Sequence, residues 1–541
     1  MRKIFSILAI ASIVLTSSCD KWFDINDNPN SADATVPTPD LRLPPILAQF
    51  MDSYESAGTR VAVLVGQLAS TGNAGTNYSL NRWYSTAAIT AWPYQAWYVN
   101  AASNIQPMIQ KAEETQSYHY IGVGKVIYAF GFLTLADLYG MLPYEEAFDS
   151  NIMNPKYDDA SLIYEKAFAL LDEGISDLQK DQGPNAISLA QGDVLFRGDV
   201  SKWIKLAYGI KARHLNHLSK TSDYDPQAIL DALDKAPVSN DESAVYSYED
   251  EEVSGNSATH SLQYQNNSTT RISKLYLDYI NNEYTGAPTG GNDVLDPRFK
   301  LLVPGYSVLK KDDQTNELYL DTVWSKGIDL STITTAGIPT SDLQYVQMRR
   351  SDDEIDLQKD QVGKTSFFAT WYTEKGAQAL LLSNSEMKFI EAEVEYKRGN
   401  LSEALSAYKA GIKAHIELLG LKADEYLSSS SVVQNESELT LSHIMIQKFI
   451  ALSYSPELFS DVRRMDYCTN SSLLYDENEG VYKGMKRPGH LYSQEYPQDN
   501  MWPRRFAVAS YSINYNIDEV LKQDPEATSV GYIAKPIFWD K

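Results

Sequence analysis

Residues 401–419, with the sequence LSEALSAYKAGIKAHIELL, contain the pattern that decides the fold. Ala404, Tyr408 and Gly411 fall at positions i, i+4 and i+7, which share one face of an α-helix. Small residues on that face let a neighbouring helix approach closely, and the aromatic ring fills the gap that remains. The stretch therefore predicts one member of a tightly packed helix pair.

The same spacing occurs again far upstream in the chain. Ala160, Tyr164 and Ala167 repeat it, and Ala228 and Ala232 form part of a third copy. These copies are similar to tetratricopeptide helix pairs, which stack into a superhelix. Ordinary antiparallel helices with coincidental spacing are the alternative.

Helical periodicity extends on both sides of these copies. It predicts helices over 46–70, 87–113, 118–139, 160–179, 200–219, 226–235, 376–398, 401–419, 439–453 and 455–463. Pro93 interrupts the second of these segments, so we expect its helix to begin just after that proline. The sequence thus predicts a mainly α-helical protein.

One long segment, 241–375, departs from this periodicity. It is rich in glycine, proline and polar residues and contains short alternating stretches such as 318–324. Loops with a few short strands fit that pattern. We expect 46–240 and 376–464 to form the helical body, 241–375 to form a loop-rich ligand-binding insertion, and 465–541 to be an irregular segment packed on the body.

The first residues, 1–18, have the pattern of a lipoprotein signal peptide. Two basic residues precede an apolar run over 4–15 that is too short to span a bilayer, and small residues then lead to Cys19. This arrangement resembles a bacterial lipobox, whose cysteine is acylated. A plain secretory signal with an incidental cysteine is the alternative. We expect lipid on Cys19, a proline-rich tether over 19–45, and no later apolar stretch of membrane-spanning length.

Acidic residues dominate the 541-residue chain, with 71 Asp and Glu against 47 Lys and Arg, and the formal net charge is −24. Nucleic-acid affinity comes mainly from basic side chains that neutralise phosphates, and an anionic membrane surface also attracts basic segments. The composition therefore disfavours nucleic acid and an anionic membrane surface as direct partners.

Tyrosine is unusually frequent, with 36 residues, and such amphipathic rings suit a wet recognition surface as well as a helical core.

Motifs for nucleotide binding, serine hydrolysis and zinc proteolysis are absent from the chain. His214 and His217 lie at i and i+3 of a predicted helix, but no further metal-ligand pattern accompanies them. We expect surface or interhelical histidines, no metal ion and no cofactor. Cys468 lacks an evident histidine partner, and the carboxylates stand in no diagnostic glycosidase motif. We therefore expect a protein that is not an enzyme.

Paired arginines recur at 349–350, 463–464 and 504–505. Arginine binds both carboxylates and phosphates well, so the pairs have two interpretations. In so acidic a chain, we expect them to form internal ion pairs and helix-end contacts rather than a phosphate site.

Aromatic, arginine and asparagine side chains cluster in the first helical part and in the insertion. The predicted ligand-binding residues are Arg82, Trp83, Trp92, Tyr94, Asn100, Trp324, Trp371 and Tyr372. A flat ring covers the apolar C–H face of a sugar, while arginine and asparagine bond its hydroxyl groups. Core packing is the alternative for the rings, since aromatic side chains also fill helical cores.

Several segments, taken in order, resemble the SusD/RagB family of Bacteroidetes outer-membrane lipoproteins, and most closely its nutrient-binding branch. They are 19–30 (CDKWFDINDNPN), 135–147 (LADLYGMLPYEEA), 198–203 (GDVSKW), 385–393 (SEMKFIEAE), 447–452 (QKFIAL), 461–464 (DVRR) and 503–506 (PRRF). Each segment is modest on its own, but the ordered set is specific and covers nearly the whole chain after the signal peptide.

This resemblance implies an α-helical body of tetratricopeptide-like units with a loop-rich ligand surface. It also implies a lipid-anchored, surface-exposed outer-membrane protein that captures a glycan and delivers it to a SusC-like TonB-dependent transporter, which it caps as a hinged lid. Some relatives handle peptides, so a peptide or another non-sugar nutrient is the alternative ligand. Two further hypotheses are an exported glycoside hydrolase and a lid without a ligand of its own.

Overall fold

The computed structural model describes residues 37–248, 269–286, 292–339, 341–348, 355–357, 361–374 and 376–541. The expected signal peptide, Cys19, most of the expected tether and Arg349-Arg350 lie outside these ranges. Helices dominate the described part of the chain, and this confirms the expected α-helical class.

The α-helices are numbered here in chain order. They are α1 (Pro39–Leu64), α2 (Thr76–Asn81), α3 (Ala91–Gln95), α4 (Ser103–Glu114), α5 (Tyr118–Tyr139), α6 (Ala160–Leu178), α7 (Val200–His217), α8 (Pro226–Leu233), α9 (Lys274–Ile280), α10 (Phe299–Leu302), α11 (Asn384–Arg398), α12 (Leu401–Leu418), α13 (Asp424–Leu427), α14 (Leu441–Ala451), α15 (Glu457–Arg464), α16 (Ser510–Tyr515) and α17 (Ile517–Gln523). A π-helical segment, Ala96–Ala102, joins α3 to α4.

The strands are short and form small antiparallel sheets. They are β1 (Leu68–Ser70), β2 (Met141–Leu142), β3 (Asp158–Asp159), β4 (Ala244–Ser247), β5 (Thr270–Ile272), β6 (Gly305–Lys311), β7 (Leu318–Trp324), β8 (Thr365–Phe368) and β9 (Gln378–Leu382). β1 pairs with β5, β2 with β3 and β4 with β9, while β6 lies between β7 and β8. The expected insertion therefore contains a few short strands, as its alternating stretches predicted.

Helix α1 begins earlier than the sequence indicated. The prolines of 19–45 predicted an extended tether, but α1 begins at Pro39 and contains Pro44 and Pro45. Pro39 stands in the first turn, where proline has no helical hydrogen bond to lose. Pro44 and Pro45 have no N–H group, so the helix loses two hydrogen bonds. The burial of apolar side chains such as Leu43 offsets this loss.

Helix α5 lies at the centre of the core. By length and composition this helix could cross a membrane, whereas no apolar stretch of that length was expected after residues 1–18. Its side chains are buried within the fold. It packs against α6 at a glycine contact. A Cβ added to Gly122 would come within 2.7 Å of the Gly174 carbonyl oxygen, so a larger residue at 122 would force the helices apart.

Both complete copies of the small–aromatic–small pattern lie in antiparallel helix pairs. In α6, Ala160, Tyr164 and Ala167 are buried in the core, and this helix packs along α5. In α12, a Cβ on Gly411 would lie 3.0 Å from the Phe389 ring of α11. The pattern therefore predicted two of the helix pairs of a tetratricopeptide-like body.

The segment 376–398, which was expected to form one helix, forms a strand and a helix. Its first part is β9, and α11 begins only at Asn384. The hydroxyl of Ser383 accepts a hydrogen bond from the Glu386 N–H and caps the helix. A short apolar run without helical periodicity fits a buried strand as well as a helix, and here it pairs with β4.

The arginine pairs that the structure describes are internal, as expected. Arg464 bonds Glu393 at 2.7 Å, and Arg504 bonds Asp540 at 2.7 Å. Arg463 donates to main-chain carbonyl groups. Arg463 donates to the Arg504 carbonyl oxygen and Arg504 to the Arg463 carbonyl oxygen, and these two bonds join the helical body to the C-terminal segment.

Candidate functional site

A group of aromatic side chains surrounds Arg82 at the protein surface. Arg82 follows the last residue of α2, and Tyr78 lies in that helix four residues before it. Tyr84 lies two residues after Arg82. The C-terminal part of the chain supplies His490 and Tyr492. We call Tyr78, Arg82, Tyr84, His490 and Tyr492 the Arg82 cluster, and all five are partly exposed.

The Arg82 guanidinium lies between two tyrosine rings. Its central carbon is 5.5 Å from the ring centroid of Tyr78 and 5.6 Å from that of Tyr492, both within cation–π range. Its Nε donates a hydrogen bond to the His490 carbonyl oxygen at 3.1 Å. Within the described part of the chain, Nη1 and Nη2 have no hydrogen-bond partner. The side chain is thus oriented by the protein but keeps donors available.

The other rings of the cluster are tied together across the fold. The ring centroids of Tyr84 and Tyr492 are 4.0 Å apart, with an angle of 35° between the ring planes. The N–H of Tyr492 donates to the Arg82 carbonyl oxygen at 2.9 Å. Tyr78 Oη is 3.0 Å from His490 Nδ1. Burial and the nearby Arg82 charge lower the pKa of His490, so its ring is neutral at pH 7.

A cavity of about 260 Å³ adjoins the cluster. Leu330 and Pro488 line both this cavity and the small hollow beside Arg82. The charged side chains on the cavity wall are Lys274, Asp278, Glu283, Asp329 and Lys486. Since small-molecule sites usually measure roughly 300–1,000 Å³, this cavity fits a small ligand group rather than a long polymer. It adds polar contacts beside the aromatic rings.

Trp83, next to Arg82 in sequence, lies in the core. Its side chain is 4% exposed, and its Nε1 donates to the Leu64 carbonyl oxygen at 3.1 Å. Tyr496 and Trp502 pack on its ring with centroid distances of 5.4 and 5.2 Å. The exposed stacking ring expected at Trp83 is therefore not found, although part of the residue lines the cavity.

Trp92, Tyr94 and Asn100 lie on another surface. The exposed Trp92 donates from Nε1 to Asp52, and Tyr94 packs on Tyr98 with a centroid distance of 4.4 Å. In the described ranges, no hydrogen bond or ring contact joins these three to the Arg82 cluster. The structure does not bring the predicted residues of the first helical part into one site.

The predicted residues of the insertion are packed against neighbouring rings. Trp324 lies 5.2 Å from Phe299 and 5.1 Å from Phe368, measured between ring centroids. Trp371 is 4.8 Å from Tyr372. Tyr372 is buried, which agrees with the core-packing alternative for this ring. Of the eight predicted residues, Arg82 and Trp83 are the two that line the cavity or the hollow beside it.

Four residues of the cluster were missing from the sequence prediction. Tyr78 and Arg82 stand at i and i+4, a spacing that could have indicated a shared helix face. Tyr84 is two residues from Arg82. His490 and Tyr492 carried no such signal, because some 400 residues separate them from Arg82 and the fold alone brings them together.

The two helical histidines meet Asp137 inside the core. The ligand-type atoms of Asp137, His214 and His217 lie within 4.8 Å of one another, and all three residues are buried. His217 bonds Glu457 at 2.7 Å. Burial opposes the imidazolium charge, but Glu457 and Asp137 raise the pKa of His217 to about 9. Both histidines therefore lie between helices, as expected, and His217 forms a buried ion pair with Glu457.

The surroundings of Cys468 do not suit a nucleophile, since the thiol is buried. Burial raises the pKa of the Cys468 thiol to about 11. Because the thiolate is the reactive form, this side chain is inert at neutral pH.

A family model matches most of the chain. It is the SusD-like model described as "Starch-binding associating with outer membrane", and it matches residues 31–481. Among curated proteins, none matches the sequence.

Solved structures share the fold over nearly the full length. A SusD/RagB family protein from Bacteroides thetaiotaomicron is 18% identical, with a TM-score of 0.61 over 93% of this chain and 99% of that chain. A chitin-binding SusD homologue from Flavobacterium johnsoniae is 18% identical, with a TM-score of 0.62 over 92% and 96%. A SusD-like protein from Bacteroidetes is 17% identical, with a TM-score of 0.66 over 93% and 100%. At these identities the likeness concerns the fold alone.

Proposed function

Because the chain belongs to the SusD-like family of outer-membrane starch-binding proteins, we propose that it captures a glycan or oligosaccharide at the Arg82 cluster and delivers it to a SusC-like TonB-dependent transporter. It acts by binding and release and does not cut its ligand. The chitin-binding homologue from Flavobacterium johnsoniae supports a glycan as the ligand class.

The observation that carries this proposal is the pairing of rings with free donors in the Arg82 cluster. Tyr84 and Tyr492 offer partly exposed rings that suit the apolar C–H face of a sugar. Arg82 is fixed between rings yet keeps Nη1 and Nη2 for hydroxyl oxygens. An extended peptide would instead need main-chain donors and acceptors in a row.

The adjoining cavity supports a ligand that extends beyond the aromatic rings. Leu330 and Pro488 line both the hollow beside Arg82 and the cavity, so a sugar unit bound by Arg82 would have the cavity beside it for the next unit. The charged and polar groups of the cavity would then bond its hydroxyls. Such shared contacts favour an oligosaccharide over a single monosaccharide.

Electrophoresis through gels that contain a panel of polysaccharides tests this proposal, with starch and a soluble chitin derivative as the first members. Residues 20–541 should be slowed by at least one polymer, and Arg82→Ala should move nearly as in a plain gel. The matched control is Lys300→Ala, a basic residue away from the cluster. Equal mobility of the wild type in every gel, together with no binding in solution assays with short oligosaccharides, would contradict glycan capture.

We also propose that lipid on Cys19 anchors the protein to the outer membrane. The apolar run over 4–15 and the small residues before Cys19 support this. Cys19→Ala should move the protein from the membrane fraction to the soluble fraction after cell lysis and centrifugation. Unchanged membrane retention of this variant, with the transporter absent from the strain, would contradict lipid anchoring.

A further inference from the structure

The hollow beside Arg82 contains a positive charge that its own walls do not balance. Its lining includes Tyr78, Asn81, Arg82 and His490, together with apolar and hydroxyl side chains. Among the described residues of this lining, none is Asp or Glu. In a chain with a net charge of −24, a hollow with one guanidinium and no carboxylate is an exception to the general surface.

Arginine side chains elsewhere in the fold often meet a carboxylate. Six of them form ion pairs with Asp or Glu: Arg213, Arg298, Arg398, Arg464, Arg487 and Arg504. Arg82 forms no ion pair within the described part of the chain. It is held by the rings of Tyr78 and Tyr492 and by the His490 carbonyl oxygen, and none of these groups carries a negative charge at pH 7.

The free edge of the Arg82 guanidinium has the form that binds a carboxylate. Nε is used in the bond to His490, and Nη1 and Nη2 lack a protein partner in the described ranges. Parallel N–H groups of a guanidinium can bind both oxygens of one carboxylate. The two ring contacts and the Nε bond restrict the side chain, so this edge is oriented before a ligand arrives.

A neutral sugar would use this edge less well than an acidic one. Hydroxyl oxygens can accept hydrogen bonds from Nη1 and Nη2, but a ligand that fills the hollow also removes water from the Arg82 charge. A carboxylate offsets that cost by its own charge, and a charge-assisted hydrogen bond is roughly twice as strong as a neutral one. The charge of Arg82 therefore favours an anionic group over a hydroxyl group.

The adjoining cavity has the opposite charge balance, with three carboxylates and two lysines on its wall. Lys274 pairs with Asp278 at 2.5 Å. Burial and the charges of Glu283 and Asp329 nevertheless raise the pKa of Asp278. A ligand carboxylate would be repelled here, whereas the hydroxyl groups of an uncharged sugar could donate to these oxygens. The hollow and the cavity thus suit sugar units of different charge.

We propose that the ligand is an acidic glycan, in which the carboxylate of a uronic acid unit binds Nη1 and Nη2 of Arg82 and an uncharged unit enters the adjoining cavity. This inference rests on the proposed function, because it names the chemical class of the glycan that the Arg82 cluster captures. The acidic surface as a whole repels polyanions. Binding of an acidic glycan therefore depends on this hollow and not on general charge attraction.

Isothermal titration calorimetry with matched pairs of ligands tests the inference. The acidic ligands are oligosaccharides of hyaluronan and of unsulfated chondroitin, in which a uronic acid alternates with an uncharged unit, and of polygalacturonate, in which every unit is acidic. Each is paired with the same oligosaccharide after reduction of its carboxylates to primary alcohols. Residues 20–541 should bind at least one alternating ligand, at least tenfold more tightly than its reduced form and more tightly than polygalacturonate.

Two substitutions of Arg82 separate its charge from its shape. Arg82→Gln keeps hydrogen-bond donors without the charge, so it should bind the acidic and the reduced ligand with equal affinity. Arg82→Lys keeps the charge without the parallel N–H groups and should retain part of the preference. Lys300→Gln, which removes a charge from an exposed residue away from the cluster, is the control and should behave as the wild type. Circular dichroism confirms that each variant is folded.

The outcomes that overturn this inference differ from those that overturn the proposed function. Binding of starch or chitin with no preference for any acidic ligand would refute the acidic class and leave glycan capture intact. A preference that survives in folded Arg82→Gln would place the carboxylate elsewhere, and tighter binding of polygalacturonate than of both alternating ligands would refute the assignment of the cavity. Binding of an aspartate-rich peptide and of no glycan, acidic or neutral, would contradict the proposed function itself.

Discussion

At the scale of single residues, Arg82 and Trp83 show how neighbours in sequence take different roles. Arg82 is partly exposed and keeps free donors, whereas the Trp83 ring is enclosed by Tyr496 and Trp502. Trp83 has a φ of 58°, and its N–H bonds the Leu80 carbonyl oxygen where α2 ends. The sequence indicated both residues as ligand contacts but could not show which of the two side chains faces solvent, because that depends on residues some 400 positions away.

Replacement of Trp83 should act on stability more than on ligand binding. Trp83→Ala removes a buried ring, and we expect the free energy of unfolding to fall by about 3–5 kcal/mol. Urea denaturation followed by circular dichroism measures this. Tyr84→Ala, at a partly exposed ring, serves as the control and should cost less than about 1 kcal/mol. A stable Trp83→Ala protein that has lost its glycan affinity would instead make Trp83 a direct ligand contact.

At the scale of elements, buried charges hold helices of the body together. Asp137 lies on α5, His217 on α7 and Glu457 on α15, and His217 Nε2 is 2.7 Å from Glu457. Trp539, near the C-terminus, donates from Nε1 to Asp137 at 2.8 Å. If one partner of a buried ion pair loses its charge, the other charge is left uncompensated in the core and destabilises the folded state.

The charge of His217 makes stability depend on pH in a defined direction. Its pKa rises from 6.5 to about 9 on folding because Glu457 and Asp137 outweigh burial. Its stabilising contribution is therefore fully present below pH 6.5 and is lost as the pH rises through 9. The shift corresponds to a contribution on the order of 3 kcal/mol.

Thermal denaturation between pH 6 and pH 9.5 should accordingly show a falling melting temperature across this interval. Nuclear magnetic resonance of the imidazole protons provides the control, because it follows the protonation of His217 itself. A His217 ring that titrates below pH 7 in the folded protein would show that the imidazole is neutral and that any change in melting temperature has another origin.

Helix periodicity predicted the centres of the main elements and missed some of their ends. The expected helices over 160–179 and 401–419 match α6 and α12 within one residue, because their buried faces repeat at helical spacing. The sequence did not reveal the start of α1 at Pro39 or the change from β9 to α11. In both places burial of apolar side chains, which is a tertiary effect, outweighs local preference.

At the scale of the whole molecule, the residues predicted to bind a ligand lie on surfaces that do not contact one another among the described residues. The Arg82 cluster combines chain segments near 78–84 and 490–492 beside a cavity whose wall includes part of the insertion. Trp92 belongs to another surface, where α3 contacts α16 through the hydrogen bond from Tyr511 to Gln95. Residue composition suggested aromatic recognition in general, but it could not assign Arg82 and Trp92 to different surfaces, since only ten positions separate them.

The central claim is that the glycan binds at the Arg82 cluster and not at the surface that exposes Trp92. Isothermal titration calorimetry tests it most directly, with an oligosaccharide of whichever polymer retards the wild type. Tyr84→Ala with Tyr492→Ala should weaken binding by at least about tenfold, or about 1.4 kcal/mol, while Trp92→Ala should bind as the wild type does. Wild-type affinity of the double variant, together with loss of affinity in Trp92→Ala, would contradict the claim and place the ligand on the surface that exposes Trp92.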